Sequence, residues 1–274
     1  MNKNLRRRLS LIYWWMKRNF IYNKLNQRLF FPNGYSKKIN GEVIKLPFRY
    51  SWVYSAIYEK EKANLIRTYC KPGSVAIDIG AHMGIFSFFL AKQVGSSGRV
   101  YSFEPTPLIF DVLRETIKYN HVEHIIDARR WAVANTQGEI LFNISQHSKI
   151  SNANSITLFD DDYKYKSIMV NVVKLDDLMN DEDIKNISFI KIDAEGAEFE
   201  ILKGGMELLK KYRPFITLEV HPGTFAIANK LKEIFDFIIE LGYSIKKDNR
   251  RLTVDDFCGF KHYFEVFLLP GNLS

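Results

Sequence analysis

Cysteine is nearly absent. Cys70 and Cys258 are the only two in 274 residues, too few for a disulfide framework or a cysteine-based zinc site. They suit a reducing compartment, and the expected location is cytoplasmic. Long apolar runs are missing from the N-terminal region. Its longest uncharged stretch, residues 9–16, is far short of the roughly 20 residues a membrane-spanning helix needs. A cleavable leader fits poorly, because Lys17 and Arg18 interrupt the run and no small-residue cleavage site follows. No collagen period, polar tract or solenoid repeat occurs. Acid is lacking from the first 41 residues, which hold ten basic residues and no Asp or Glu. That leaves 29 basic and 31 acidic residues for 42–274, a net of −2 against +8 for the whole chain. The excess positive charge belongs to the arm, so a nucleic-acid-binding body is not expected.

What is present is ample apolar material, 46% of residues with 14% aromatic, enough for a large core. Two regions are expected: an N-terminal helical arm over 1–45 and one domain over 46–274. In the arm, Trp14, Trp15 and Leu25 alternate with lysine and arginine. This composition suits an interfacial anchor, with peripheral membrane contact through residues 1–31. The commoner source of such a pattern is a first helix packed on its own domain or on a second subunit.

Beyond the arm, residues 35–50 read as a short strand or loop region and 54–69 as a helix. Strands and helices then alternate. Strands are expected at 75–79, 99–104, 125–134, 139–145, 168–175 (at an edge), 187–193 and 215–220, with a closing pair at 243–247 and 263–269. Helices are expected at 85–94, 108–119, 198–212 (weakened by Gly204-Gly205) and from 227 to Gly242. Residues 146–165 read as a long polar loop. Alternation of this kind implies a doubly wound α/β fold, with a mostly parallel sheet and helices on both faces. Ligands bind such sheets at the carboxyl ends of the strands.

The first buried strand ends in Asp78-Ile-Gly80-Ala-His82-Met-Gly84. Glycines at a strand-to-helix turn let backbone approach a ligand. Asp78 at that turn would repel a pyrophosphate and attract a cation. Twenty residues past Gly84, Glu104 ends the next strand, where a carboxylate accepts hydrogen bonds from two ribose hydroxyls. A ribose without a neighbouring phosphate, together with a positive centre, describes S-adenosylmethionine better than a dinucleotide.

Several segments together resemble the FkbM-type methyltransferases: VAIDIGAHMG (75–84), YSFEPTP (101–107), Trp131 to Ala134 followed by 138–142, 173–178, FIKIDAEGAEFEILKG (189–204) and FITLEVHP (215–222). The resemblance implies a class I, Rossmann-like, seven-stranded fold that uses S-adenosylmethionine, often to methylate oxygen on sugars, polyketides or related small molecules. His82 departs from it, since the family more often has asparagine there. On this resemblance, residues 126–128 and 131–133 border the adenine, with Asp127 and Ala132 as candidate contacts. Asp78, Gly80, His82, Gly84, Glu104 and Asp193 complete the expected cofactor set.

Transfer to a hydroxyl calls for a base. Asp193, at the end of its strand, suits either the methionine amino group or the substrate proton. Glu195, His221 and His82 are the other catalytic candidates. Glu198 reads as compensation of a helix N-terminus, and Lys191 as a strand lysine paired with an acid. Asp193, Glu219 and His221 also form a possible magnesium set. The expected acceptor is a small molecule or glycan. RNA or protein methylation, or a non-catalytic binding module on the same fold, are the alternatives.

Overall fold

A computed structural model describes residues 31–145, 165–180, 184–222, 230–248 and 250–271. The arm over 1–30 and most of the polar loop, 146–164, lie outside the described residues, and so do the readings that fall on them.

The core sheet is built from β3 (Val75–Ile79), β4 (Arg99–Phe103), β5 (Ile126–Arg129), β9 (Ile187–Ile192), β10 (Phe215–Val220), β11 (Tyr243–Lys247), β12 (Arg250–Arg251) and β13 (Phe264–Pro270). Its order is β12-β11-β13-β10-β9-β3-β4-β5. The run from β10 to β5 is parallel, and β13 inserts antiparallel between β10 and β11. The sheet has eight strands, seven of four or more residues and the two-residue β12 at the edge. Every residue of β3 and β9 is buried, because a parallel strand covered on both faces has no side that meets water.

Alternate side chains divide between two cores. Val75, Ile77 and Ile79 of β3 face one together with Ile190, Ile192, Leu208 and Ile234. Ala76, Phe189 and Phe215 face the other with Leu90, Val112 and Ile66. The second core is covered by α1 (Lys60–Tyr69), α2 (Ile85–Val94) and α3 (Pro107–Tyr119). Helix α3 begins with Pro107, whose fixed φ and missing N–H suit a first helical position. It buries Ile109, Val112, Leu113, Thr116 and Ile117, the spacing of one helical face. The first core is covered by α4 (Glu198–Gly204), α5 (Met206–Tyr212), α6 (Lys230–Glu240) and α7 (Val254–Cys258).

Four local expectations are corrected. The single strand over 125–134 is two: β5 stays in the core sheet, while β6 (Trp131–Val133) leaves it for a separate sheet of order β6-β8-β7. There β8 (Tyr165–Val173) is central rather than at an edge, parallel to β6 and antiparallel to β7 (Gly138–Ser145). The helix expected over 54–69 starts only at Lys60, because Glu59 takes a left-handed conformation, φ 40°. The helix over 198–212 divides into α4 and α5, with non-helical backbone at Gly205. Gly204 is packed too closely for a side chain, since a Cβ there would stand 2.2 Å from the Ala134 carbonyl oxygen; one on Gly205 would stand 2.8 Å from the Leu175 Cδ1.

Residues 35–46 form an antiparallel hairpin, β1 (Tyr35–Ile39) and β2 (Glu42–Leu46). It spans position 45, and Ile39, Ile44 and Leu46 enter the core under α3. Among the described residues, no helix is long and apolar enough to cross a membrane.

Candidate active site

The turn after β3 is fixed by backbone. Gly80 has φ +73°, and a Cβ there would stand 1.8 Å from the carbonyl oxygen of Asp193. The Asp193 N–H in turn donates to Ile79 O at 3.2 Å. Glycine is therefore needed for contact between the ends of β3 and β9, apart from any ligand. Gly84, φ +87°, precedes α2, and a Cβ there would meet Leu113 at 2.6 Å. Between them His82 has φ +49°, uncommon for a residue with a side chain, and its Nδ1 lies 3.1 Å from the Tyr54 hydroxyl.

A pocket opens over the carboxyl ends of β3, β4, β9 and β10. Gly80, His82, Glu104, Ala132, Asp193, Glu195 and Glu219 line it, with Tyr54, Tyr58, Phe86 and Phe142 supplying aromatic wall. This is the switch point of the sheet, where the chain runs from β3 outward to β4 on one side and returns to β9 on the other.

Glu104 follows β4 at the pocket's edge. Its Oε2 accepts the His82 N–H at 3.0 Å and its Oε1 accepts the Thr106 N–H at 2.9 Å. The Thr106 side chain also hydrogen-bonds this carboxylate. Burial raises the carboxyl's pKa above the ordinary range; the Thr106 and His82 hydrogen bonds and Lys191 oppose that without cancelling it.

Three expected cofactor residues do not line the pocket. Asp78 is fully buried, accepting from the Ser87 hydroxyl at 2.6 Å and ion-paired to Lys191 Nζ at 3.3 Å. Its strand alternation turns it toward α2 rather than out of the turn. Asp127 also lies off the pocket, its Oδ2 held by Arg129 at 2.8 Å. Gly84 stands behind the turn, whereas Ala132, on β6, does line the pocket beside Val133 and Phe142.

Lys191 is an ammonium sealed in the site. Besides Asp78 it faces Asp193 Oδ2 at 3.5 Å and donates to the carbonyl of Gly80 at 2.9 Å. Asp193 is half-buried. Burial works against its charge, but Lys191, Lys62 and His221 outweigh that and hold its pKa below the ordinary aspartate value.

At the β9 and β10 side the acids gather. Glu195, with φ +50°, is pushed up to about 8, chiefly by burial; His221 opposes the shift, while Asp193, Glu219 and Glu198 add to it. Glu219 is pushed up to about 7 by burial and by Asp193, against Lys62 and His221. His221 does not line the pocket but stands behind these two. Its Nε2 is 3.3 Å from Glu195 and 3.6 Å from Glu219, and its Nδ1–H donates to Glu198 Oε1 at 2.9 Å. Burial alone would lower the imidazole's pKa; the Glu198 hydrogen bond and the surrounding carboxylates raise it to about 9. Glu198, which looks in sequence like a helix-end acid, is fully buried and also accepts the Gly196 N–H at 2.9 Å.

Lys62 carries no signal in the sequence. It is one of several charged residues at the start of α1, yet it is buried and ion-paired to Glu59 at 2.5 Å, Glu265 at 3.0 Å and Glu219 at 3.6 Å. Candidate ligand atoms of Asp193, Glu219 and His221 lie within 4.8 Å of one another, close enough for a metal. Lys191 and Lys62 already offset the two carboxylates.

The model of the methyltransferase FkbM domain matches residues 78–245. The hexuronic acid methyltransferase AglP of Haloferax volcanii is 24% identical over 170 residues, covering 60% of this chain and 63% of that protein. Methyltransferase sdnD of Sordaria araneosa is 22% identical over 153 residues, covering 47% and 59%. The chain thus spans about six tenths of the length of these relatives. Among solved structures, an FkbM methyltransferase from Methylobacillus flagellatus is similar over 76% of this chain and 51% of that one, with 16% identity and a TM-score of 0.47. With the family's domain matched from the aspartate of the glycine turn into β11, this chain belongs to the FkbM methyltransferase family.

Proposed function

We propose that the protein is an S-adenosylmethionine-dependent O-methyltransferase acting on a hydroxyl of a sugar, glycan or other small molecule. The observation that carries this is the composition of the pocket along the strand ends. It runs from the doubly anchored Glu104 carboxylate, past the Gly80–His82 backbone, to the acids after β9 and β10. The name of one relative, a hexuronic acid methyltransferase, supports a sugar acceptor.

The residues fit the cofactor. Glu104 presents a carboxylate at the pocket's edge as an acceptor for ribose hydroxyls, Ala132, Val133 and Phe142 give an apolar slot for a base, and Asp193, kept ionised by Lys191, suits an ammonium. When bound, S-adenosylmethionine supplies an electrophilic methyl group on a sulfonium, which leaves as a neutral thioether.

The chain's part is alignment and proton removal. Asp193, with its lowered pKa, is a charge partner and a weak base. Glu195 lines the pocket and its pKa of about 8 makes it a stronger base than an ordinary carboxylate. In this mechanism it accepts the acceptor's hydroxyl proton. His221, cationic at neutral pH, stands behind Glu195 and steadies its ionised form. His82 holds the cofactor turn through its N–H to Glu104 and is given no proton.

The test is calorimetric titration with S-adenosylmethionine, followed by mass spectrometry of glycan and metabolite extracts incubated with enzyme and cofactor. Binding plus gain of one methyl group on an acceptor oxygen is the expected result. Binding with no methylated product would favour a non-catalytic module, and no binding would end the reading.

A further inference from the structure

The acceptor end of the pocket has a one-sided charge. Glu59, Asp193, Glu195 and Glu219 line it, and the single ammonium among the described lining residues is Lys191. That ammonium faces Asp78 and Asp193 and donates to the carbonyls of Ile79 and Gly80. The nearest other cations are likewise engaged by carboxylates. Lys62 is held by Glu59, Glu219 and Glu265, and His221 by Glu198, Glu195 and Glu219. No arginine is among the lining residues described. Recognition of a carboxylate or phosphate calls for a guanidinium or ammonium turned toward it. Here such a group would meet acidic side chains, Glu59 and Asp193 above all, in a site where burial weakens screening.

We infer that the acceptor carries no anionic group beside the methylated hydroxyl, and that this end of the pocket selects a neutral or amino-bearing sugar over a uronic acid or sugar phosphate. The inference rests on the methyltransferase reading and names its substrate class. Neutral hydroxyls donate well to carboxylates, so Glu59 and Glu219 bind a polyol directly. A protonated amine on a neighbouring carbon adds an ion pair. Protonation of Glu195, and of part of Glu219, does not reverse the preference, because Glu59 and Asp193 remain on the same wall. The chain would thus differ in acceptor from the relative named for hexuronic acid.

The experiment uses the full chain with methyl-labelled S-adenosylmethionine and a glycan extract. Products are hydrolysed, and the labelled monosaccharides are separated into neutral, amino and acidic classes. The incubation is run with EDTA and, separately, with added magnesium. We expect label in neutral or amino sugars, exceeding that in uronic acids by about tenfold or more, with or without EDTA. Label chiefly in uronic acids or sugar phosphates with EDTA present overturns the inference. So does uronate labelling that appears only with magnesium, since a metal would then supply the missing cation. Label in no sugar class, with cofactor binding intact, refutes the sugar-methylation reading itself and the inference with it.

Discussion

Asp78 and Lys191 are register partners on the adjacent parallel strands β3 and β9, their charged atoms 3.3 Å apart and both side chains buried. This pair ties the glycine turn after β3 to the strand that delivers Asp193. Ser87 on α2 completes the carboxylate's partners, and the Ser102 hydroxyl donates to Ser87 at 3.0 Å.

Lys191→Met should therefore act first on folding. It leaves Asp78 charged and buried with only the Ser87 hydroxyl, a loss of about 3–5 kcal/mol for one partner of a buried pair. Adding Asp78→Asn should recover part of that loss, because the uncompensated charge goes with it. Urea unfolding of the two single variants and the double variant measures this. A Lys191→Met protein as stable as the parent would refute the structural assignment of the pair.

Glu104→Ala should weaken S-adenosylmethionine binding while the fold persists. Each hydrogen bond to a charged group contributes roughly 1.5–3 kcal/mol, so the calorimetric Kd should rise about tenfold or more. Gly80→Ala should be more damaging, because its Cβ falls 1.8 Å from the Asp193 carbonyl oxygen and its φ of +73° disfavours a side chain. An unchanged Kd in Glu104→Ala would remove the ribose assignment.

Activity and stability should respond to pH in opposite directions. Glu195 must be ionised to accept a proton, and with a pKa of about 8 its ionised fraction, and so kcat, should climb as pH rises toward that value. Glu195→Gln should lower kcat and flatten the climb. Stability runs the other way. The folded pKa values of Glu195, Glu219 and His221, about 8, 7 and 9, all lie above their unfolded values. Their contributions are full below those unfolded values and are lost as pH rises through the folded ones. Differential scanning calorimetry should give a Tm that falls from about pH 6 to about pH 9. A flat kcat profile would dismiss Glu195 as the base, and a flat Tm would dismiss the raised pKa values.

The strands that carry the site were legible because burial on both faces writes them as continuous apolar runs: β3 and β10 have the expected limits. Glu104 was legible too, since its place at the end of the second strand follows from spacing. Orientation was not. An aspartate before a glycine turn looks the same whether it faces a ligand or a neighbouring strand, and the lysine that decides the matter for Asp78 sits on β9. The departure of β6 from the core sheet was equally hidden, because one apolar stretch over 125–134 serves either arrangement. Lys62 gave no sign, as burial of one lysine in a charged run depends on acids brought in by β10 and β13.

Glu198 offers the sharpest test of how the acids after β9 are organised. As a helix-end acid it would matter only to α4, and Glu198→Gln would change stability slightly and leave the pH profile in place. In the structure it is the acceptor for His221 Nδ1 and the leading influence raising the imidazole's pKa. Glutamine keeps the shape and an acceptor but loses the charge, so His221 should titrate closer to its ordinary value. A neutral His221 no longer opposes the burial of the Glu195 charge, and His221 is the largest charge effect on that carboxyl, whereas Glu198 is among the smaller ones. The pKa of Glu195 should consequently move up, carrying the rising limb of kcat to higher pH, with S-adenosylmethionine affinity nearly unchanged. His221 observed by NMR and kcat measured across pH give the two readouts. If the imidazole pKa falls while the kcat limb stays where it is, His221 and Glu195 do not act together; if neither moves, Glu198 serves the helix alone.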